Sequence, residues 1–156
     1  MQFGLFDTED QLEKLSKHCI GYTQGVFDMF HIGHLNLINN AKALCQRLIV
    51  GVNSDKLVEE YKKRKTVIGQ DERLAIVSNI KGVDDALLVD TLDKVVLQEK
   101  LGFDVVFIGD DWQGNLRWKE TERMLGERNV QVIYLPYTKG VSSTILRLEK
   151  ENIVEE

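Results

Sequence analysis

The stretch GVFDMFHIGH, residues 25–34, decides how this chain is read. An apolar run, Cys19 to Tyr22, precedes it and reads as a strand. Leu35, Leu37, Ile38, Ala41, Leu44 and Cys45 follow at helical spacing. The stretch is therefore the turn where a first strand becomes a first helix. In open α/β sheets, ligands bind at such turns, beyond the carboxyl ends of the strands. His31 and His34 lie in it, with Gly33 between them. With His34 opening the helix, both imidazoles sit near an N-terminus whose unpaired N–H groups and dipole favour an anion. Gly33 leaves room for a phosphate to approach the backbone. The plain alternative is a surface or capping histidine. The remaining histidine and the two cysteines show no ligand spacing, so these histidines are not expected to coordinate metal.

The totals set bounds. A chain of 156 residues, 43% hydrophobic and 29% charged, fits one globular domain that buries about two-thirds of its unfolded surface. No apolar run approaches a membrane span, and MQFGLFDTEDQLEKL lacks a signal peptide's basic start and apolar core. Cys19 and Cys45 fall on a predicted strand and helix and read as buried thiols in a reducing cytoplasm. A formal net charge of −5 argues against nonspecific nucleic-acid binding. Positive potential is instead local, at Lys62, Lys63, Arg64 and Lys65.

Taken in order, residues 1–18 read as an N-terminal helical extension, capped by Thr8 or Asp10, with Leu12 and Leu15 inward. The domain proper spans 19–156. Its predicted strands are 19–24, 47–52, 85–89, 103–108 and 130–135. Helices are expected over 34–46, from a cap at 53–55 to about 60, over 71–81, from a Thr91 cap to 100, over 115–128, and from Ser142 or Ser143 to about 152. RLIVGV at 47–52, apolar without alternation, reads as a buried parallel strand. Strands alternating with helices imply right-handed βαβ crossovers. The predicted fold is α/β: a single Rossmann-like doubly wound domain with a five-stranded parallel sheet in the order 3-2-1-4-5. There is no GxGxxG, so a dinucleotide is not expected.

Three further stretches fall at predicted strand ends on the same edge as the histidines. The first, KKRKTVIGQDER at 62–73, is either a solvated face or a basic loop that closes over an anion. In the second, IGDDW at 108–112, the aspartates could hold a metal, accept a sugar hydroxyl or cap a turn, and Trp112 could stack on a base or pack. In the third, YTKGVSST at 137–144, Gly140 turns the chain and three hydroxyls open a helix. One serine would serve as a plain cap, so the set reads as a phosphate cradle.

Together these motifs resemble the HxGH nucleotidyltransferase superfamily, and within it the cytidylyltransferases that act on glycerol-3-phosphate, phosphocholine or phosphoethanolamine. The resemblance runs over residues 20–148. IGDDW is similar to the GDDWEG-like sequence of the glycerol-3-phosphate enzymes, and YTKGVSST to the RTEGIST motif. Tyr137 stands where that motif has arginine and Lys139 where it has glutamate. Val26 replaces a Thr or Ile of many relatives.

The resemblance implies catalytic roles for His31, His34 and Lys63. It implies nucleotide contacts at Gly25, Val26, Phe27, Asp28, Gly33, Asp110, Thr138, Gly140, Val141, Ser142, Ser143 and Thr144. Substrate contacts would come from Lys62, Lys65, Arg73, Asp55, Asp111, Trp112, Tyr137 and Lys139. For Arg73, a role at a dimer interface or on a helix surface is also open. The implied reaction is attack by the phosphate of a small phospho-alcohol on the α-phosphorus of CTP, with Mg²⁺ carried by the nucleotide and no direct protein ligands for it. His31, His34, Lys63, helix N-termini and Mg²⁺ would offset the charge of the reactants. A homodimer is implied too. The alternatives are an adenylyltransferase of the same fold and a noncatalytic nucleotide-binding module.

Overall fold

The computed structural model describes residues 19–109, 114–136 and Leu146. The N-terminal extension, Asp110, Asp111 and Trp112, and all of YTKGVSST lie outside the described residues. The described chain runs β1 (Ile20–Gly25), α1 (Ile32–Lys42), β2 (Arg47–Asn53), α2 (Asp55–Lys62), α3 (Gln70–Ser78), β3 (Asp85–Val89), α4 (Lys94–Leu101), β4 (Val105–Gly109), α5 (Leu116–Gly126) and β5 (Gln131–Leu135). The five strands form one parallel sheet in the order 3-2-1-4-5. No described helix is long and apolar enough to cross a membrane.

The strands are apolar on both sides because helices cover both. Successive side chains of a strand point to opposite faces. Leu48, Val50, Val52, Val105 and Phe107 thus join one core cluster, with Ile38 and Ala41 of α1 and Val77 of α3. Tyr22, Ile49 and Val106 join the other, with Leu97 of α4 and Leu125 of α5. Tyr22 stacks on Phe103 there, with ring centroids 4.7 Å apart. Gly51 is required by close approach, since a Cβ would run into the Tyr22 hydroxyl. β1 lies between β2 and β4. The helix after β1 covers one face and the helix after β4 covers the other, so the strand order reverses between β1 and β4. That is the switch point at which an open sheet leaves a crevice.

Several boundaries depart from expectation. α1 begins at Ile32 rather than His34, because His31 itself caps it. It ends at Lys42 rather than Gln46, because the Gln46 and Arg47 amides already donate to the Cys19 carbonyl and start β2 beside β1. α2 continues to Lys62, so Tyr61 and Lys62 are helical rather than part of a loop. α3 stops at Ser78, and the turn bonds Ile80 N–H to Val77 O and Val83 N–H to Ile80 O follow it. Asp93, not Thr91, caps α4, accepting from the Val95 and Val96 amides. Both cysteines are buried thiols, as anticipated.

Candidate active site

The β1–α1 turn is built around a reciprocal cap. His31 Nδ1 accepts from the Gly33 amide at 3.0 Å, and His34 Nδ1 accepts from the His31 amide at 3.3 Å. This is capping-box geometry with imidazoles in place of the usual hydroxyl and carboxylate. It uses two of the four amides that a helix start leaves open. The Gly33 N–H is therefore committed to His31 rather than offered to a phosphate. Both Nδ1 atoms are acceptors, so each ring carries its proton on Nε2. The rings stack with centroids 3.7 Å apart.

Phe27 and Phe30 flank His34, both at 5.3 Å between centroids. Burial, the first cause, pushes the His34 pKa down to about 3. Neighbouring His31 and the Lys62 charge push the same way, and Asp28 opposes. Burial also lowers His31. The helix N-terminus disfavours a cation as well. Both imidazoles are thus neutral N–H donors at pH 7.

The residues around them hold the turn. Phe27 and Met29 adopt left-handed backbone, φ 55° and 49°, on either side of Asp28. Phe27 is buried in the core, and its ring lies where a Gly25 Cβ would come within 3.2 Å. Gly25 and the Phe27 side chain therefore serve packing under His34. Asp28 is 0% exposed, and its carboxylate accepts from the Val67 and Ile68 amides at 2.8 and 2.9 Å. Asp28 thereby straps the basic loop to the histidine turn.

Arg73 is held in the same way. At 1% exposure it is not the helix-surface residue that one reading allowed. Its guanidinium donates to Ile68 O at 2.9 Å, to Val26 O and Asn53 O at 2.7 Å, and to Asp55 Oδ1 at 2.7 Å. Asp55 also accepts from the Thr66 hydroxyl and the Gln70 amide. Burial raises the Asp55 pKa, but these donors outweigh it and hold the carboxyl below its ordinary value. Both Asp55 oxygens are thus engaged by the protein. Val26 enters through its carbonyl.

The basic run leaves α2 at its end. Lys62 closes the helix, its Nζ 5.8 Å from the Tyr61 ring centroid, and its charge acts on His34. Lys63 is the C-cap in left-handed conformation, φ 57°. Lys62, Lys63 and Lys65 are exposed.

Sequence reasoning missed a polar chain along the strand ends. The Tyr22 hydroxyl donates to Gln24, whose amide donates to Asn53 and to the Thr91 carbonyl, and Asn53 donates to Tyr61. Gln24 in the otherwise apolar β1 was the available signal. It also missed Lys94, 7% exposed at the start of α4, which donates to Leu92 O and lies 5.5 Å from the Trp118 ring centroid. Burial first, then the Arg117 charge, push its pKa down to about 8, against Asp93.

Comparison with known proteins adds an independent line. A family model described as cytidylyltransferase-like matches residues 22–149. Over 132 residues the chain is 30% identical to the glycerol-3-phosphate cytidylyltransferase of Bacillus spizizenii, across 84% of this chain and 96% of that one. It is 34% identical over 127 residues to the FAD synthase of Korarchaeum cryptofilum, across 79% of this chain and 86% of that one. Among solved structures, the lipopolysaccharide core biosynthesis protein of Thermoplasma volcanium superposes with a TM-score of 0.65 at 23% identity. That match covers 79% of this chain and 98% of the other, a likeness of fold.

Proposed function

This chain belongs to the cytidylyltransferase-like family, and on that premise we propose that it transfers a cytidylyl group from CTP to a small phosphorylated alcohol. Glycerol-3-phosphate is the favoured acceptor, by similarity to the Bacillus spizizenii enzyme. The observation that carries the reading is the pair of neutral, stacked imidazoles at the first βα turn, each anchored through Nδ1.

An oxygen of the acceptor phosphate attacks the α-phosphorus of CTP, and the bond from that phosphorus to the β-phosphate oxygen breaks. Pyrophosphate leaves, and no protein nucleophile is needed. Two unit charges 4 Å apart repel by about 1 kcal/mol in water and about 4 kcal/mol at an effective dielectric of 20. The Nε2–H groups of His31 and His34 would donate to oxygens of the nucleotide phosphates, where charge builds in the transition state. Lys62, Lys63 and Lys65 would supply cationic charge from the exposed end of α2 and the loop after it. Mg²⁺ would enter on the phosphate oxygens and neutralise part of their charge. Among the described residues, no three His, Cys, Asp or Glu side chains group to hold an ion. A homodimer and a cytoplasmic location belong to the same proposal.

Adenylyl transfer from ATP is the second reading, favoured by the FAD synthase relative. The experiment is a screen of phosphorylated small alcohols with CTP or ATP and Mg²⁺, reading pyrophosphate. The expected result is CTP-dependent release with glycerol-3-phosphate. Release with ATP alone selects the second reading, and none under any pairing refutes both.

A further inference from the structure

The basic loop and the histidine turn are far apart in sequence, yet two buried side chains bind them together through one residue, Ile68. Its N–H is taken by Asp28 and its C=O by Arg73. The same guanidinium reaches Val26 O, one residue beyond β1, and Asn53 O, the last residue of β2. It also donates to Asp55 at the start of α2. One cation thus ties the carboxyl ends of two adjacent central strands to the segment that follows the lysine run. Only a planar fork with donors in several directions can span these acceptors, and a lysine ammonium at one point cannot. The cation is also placed in the first turn of α3, the wrong end for the helix dipole.

We propose that Arg73 is a positioning residue for the reaction: with Asp28 it fixes the basic segment 62–68 in register with His31 and His34, without touching substrate. The proposal rests on the cytidylyl-transfer reading only for its turnover readout. A displacement of about 1 Å in a positioning element is enough to reduce a rate about a hundredfold.

The test uses the full chain with Arg73→Lys and, separately, Asp28→Asn, which leaves Arg73 in place. Three quantities are read: amide hydrogen exchange, ring-nitrogen NMR of the histidines, and pyrophosphate release per folded molecule. The expected result is exchange at Val67 and Ile68 faster by at least about tenfold, with the strand amides unchanged. Turnover should fall about a hundredfold, mostly in kcat, and the His34 ring signals should shift as Lys62 moves. A purely structural role would lower Tm while leaving kcat per folded molecule alone. If Arg73→Lys does not fold, Asp28→Asn decides. The proposal is overturned if the segment is released with turnover intact, or if turnover is lost with both amides still protected. If the wild type releases no pyrophosphate under any pairing, the functional reading fails by itself. Unshifted His34 signals on release of the segment would then overturn the positioning claim.

Discussion

Acidification provides a direct measure of how strongly the fold enforces a neutral His34. An unfolded histidine titrates near 6.5, and His34 in the fold is pushed down to about 3, first by burial. A group whose folded pKa lies below its unfolded value contributes stability that is fully present above 6.5 and is lost as pH falls toward 3. At about pH 4.5 the unfolded chain has taken up the proton and the folded one has not. Two pH units below the unfolded pKa correspond to about 3 kcal/mol lost relative to about pH 7.5. The assay is urea unfolding of the wild type and His34→Asn at both pH values. Asparagine keeps an acceptor where Nδ1 sits, so the bond from the His31 amide survives while the titrating group is removed. The lowered carboxylates Asp55 and Asp84 titrate in the unfolded chain near 3.8, and stopping at about pH 4.5 largely spares their contribution. The wild type should therefore lose about 3 kcal/mol more than the variant. Equal losses, or a ring-nitrogen titration of His34 with a midpoint above about 5.5, would refute the claim that the turn holds this imidazole neutral.

Two further outcomes follow from the same geometry. His31→Asn keeps a capping acceptor for the Gly33 amide, so stability should change by less than about 0.5 kcal/mol. Pyrophosphate release should fall about 10²–10³-fold with the Nε2–H donor gone, and near-normal release would remove His31 from the chemistry. Lys94→Met should raise stability at pH 7 by about 1–2 kcal/mol in urea unfolding, because it removes a desolvated cation that donates to a neutral carbonyl. The Lys94 pKa is depressed from 10.5 to about 8, so the wild type recovers stability as pH rises between them and the advantage should shrink. A variant less stable than the wild type refutes it.

The sheet was legible because its strands are written in runs such as RLIVGV, and burial on both faces leaves no other reading of such a run. The β1–α1 turn was legible as a place but not as a mechanism. Histidine is not among the usual capping residues, so the helix start was placed at His34. Yet the three-residue spacing of His31 and His34 is that of a capping box, and it was the available clue. Asp28, Asp55 and Arg73 misled in a different way. A charge in a sequence reads as surface or site, and the partners that hold these are mostly backbone amides and carbonyls, which carry no residue signature. Lys94 escaped for the same reason, its acceptor being Leu92 O.

The neutrality of the histidine pair bears on how the proposed chemistry distributes charge. Fixed cations attract a triphosphate in the ground state as well as in the transition state, and uniform attraction of that kind raises affinity without raising kcat. Neutral N–H donors, held by their own Nδ1 bonds and by stacking, interact more strongly as negative charge grows on the oxygens they face, and they need no reorganisation at that moment. The lysines at the end of α2 sit on an exposed segment and are suited to capture. The imidazoles sit on a helix start that is capped, packed by Phe27 and Phe30, and tied through Asp28 and Arg73 to that lysine segment. On the proposed reading, that tie brings capture and chemistry into one geometry, and the residues that make it are the ones a sequence would assign to the substrate.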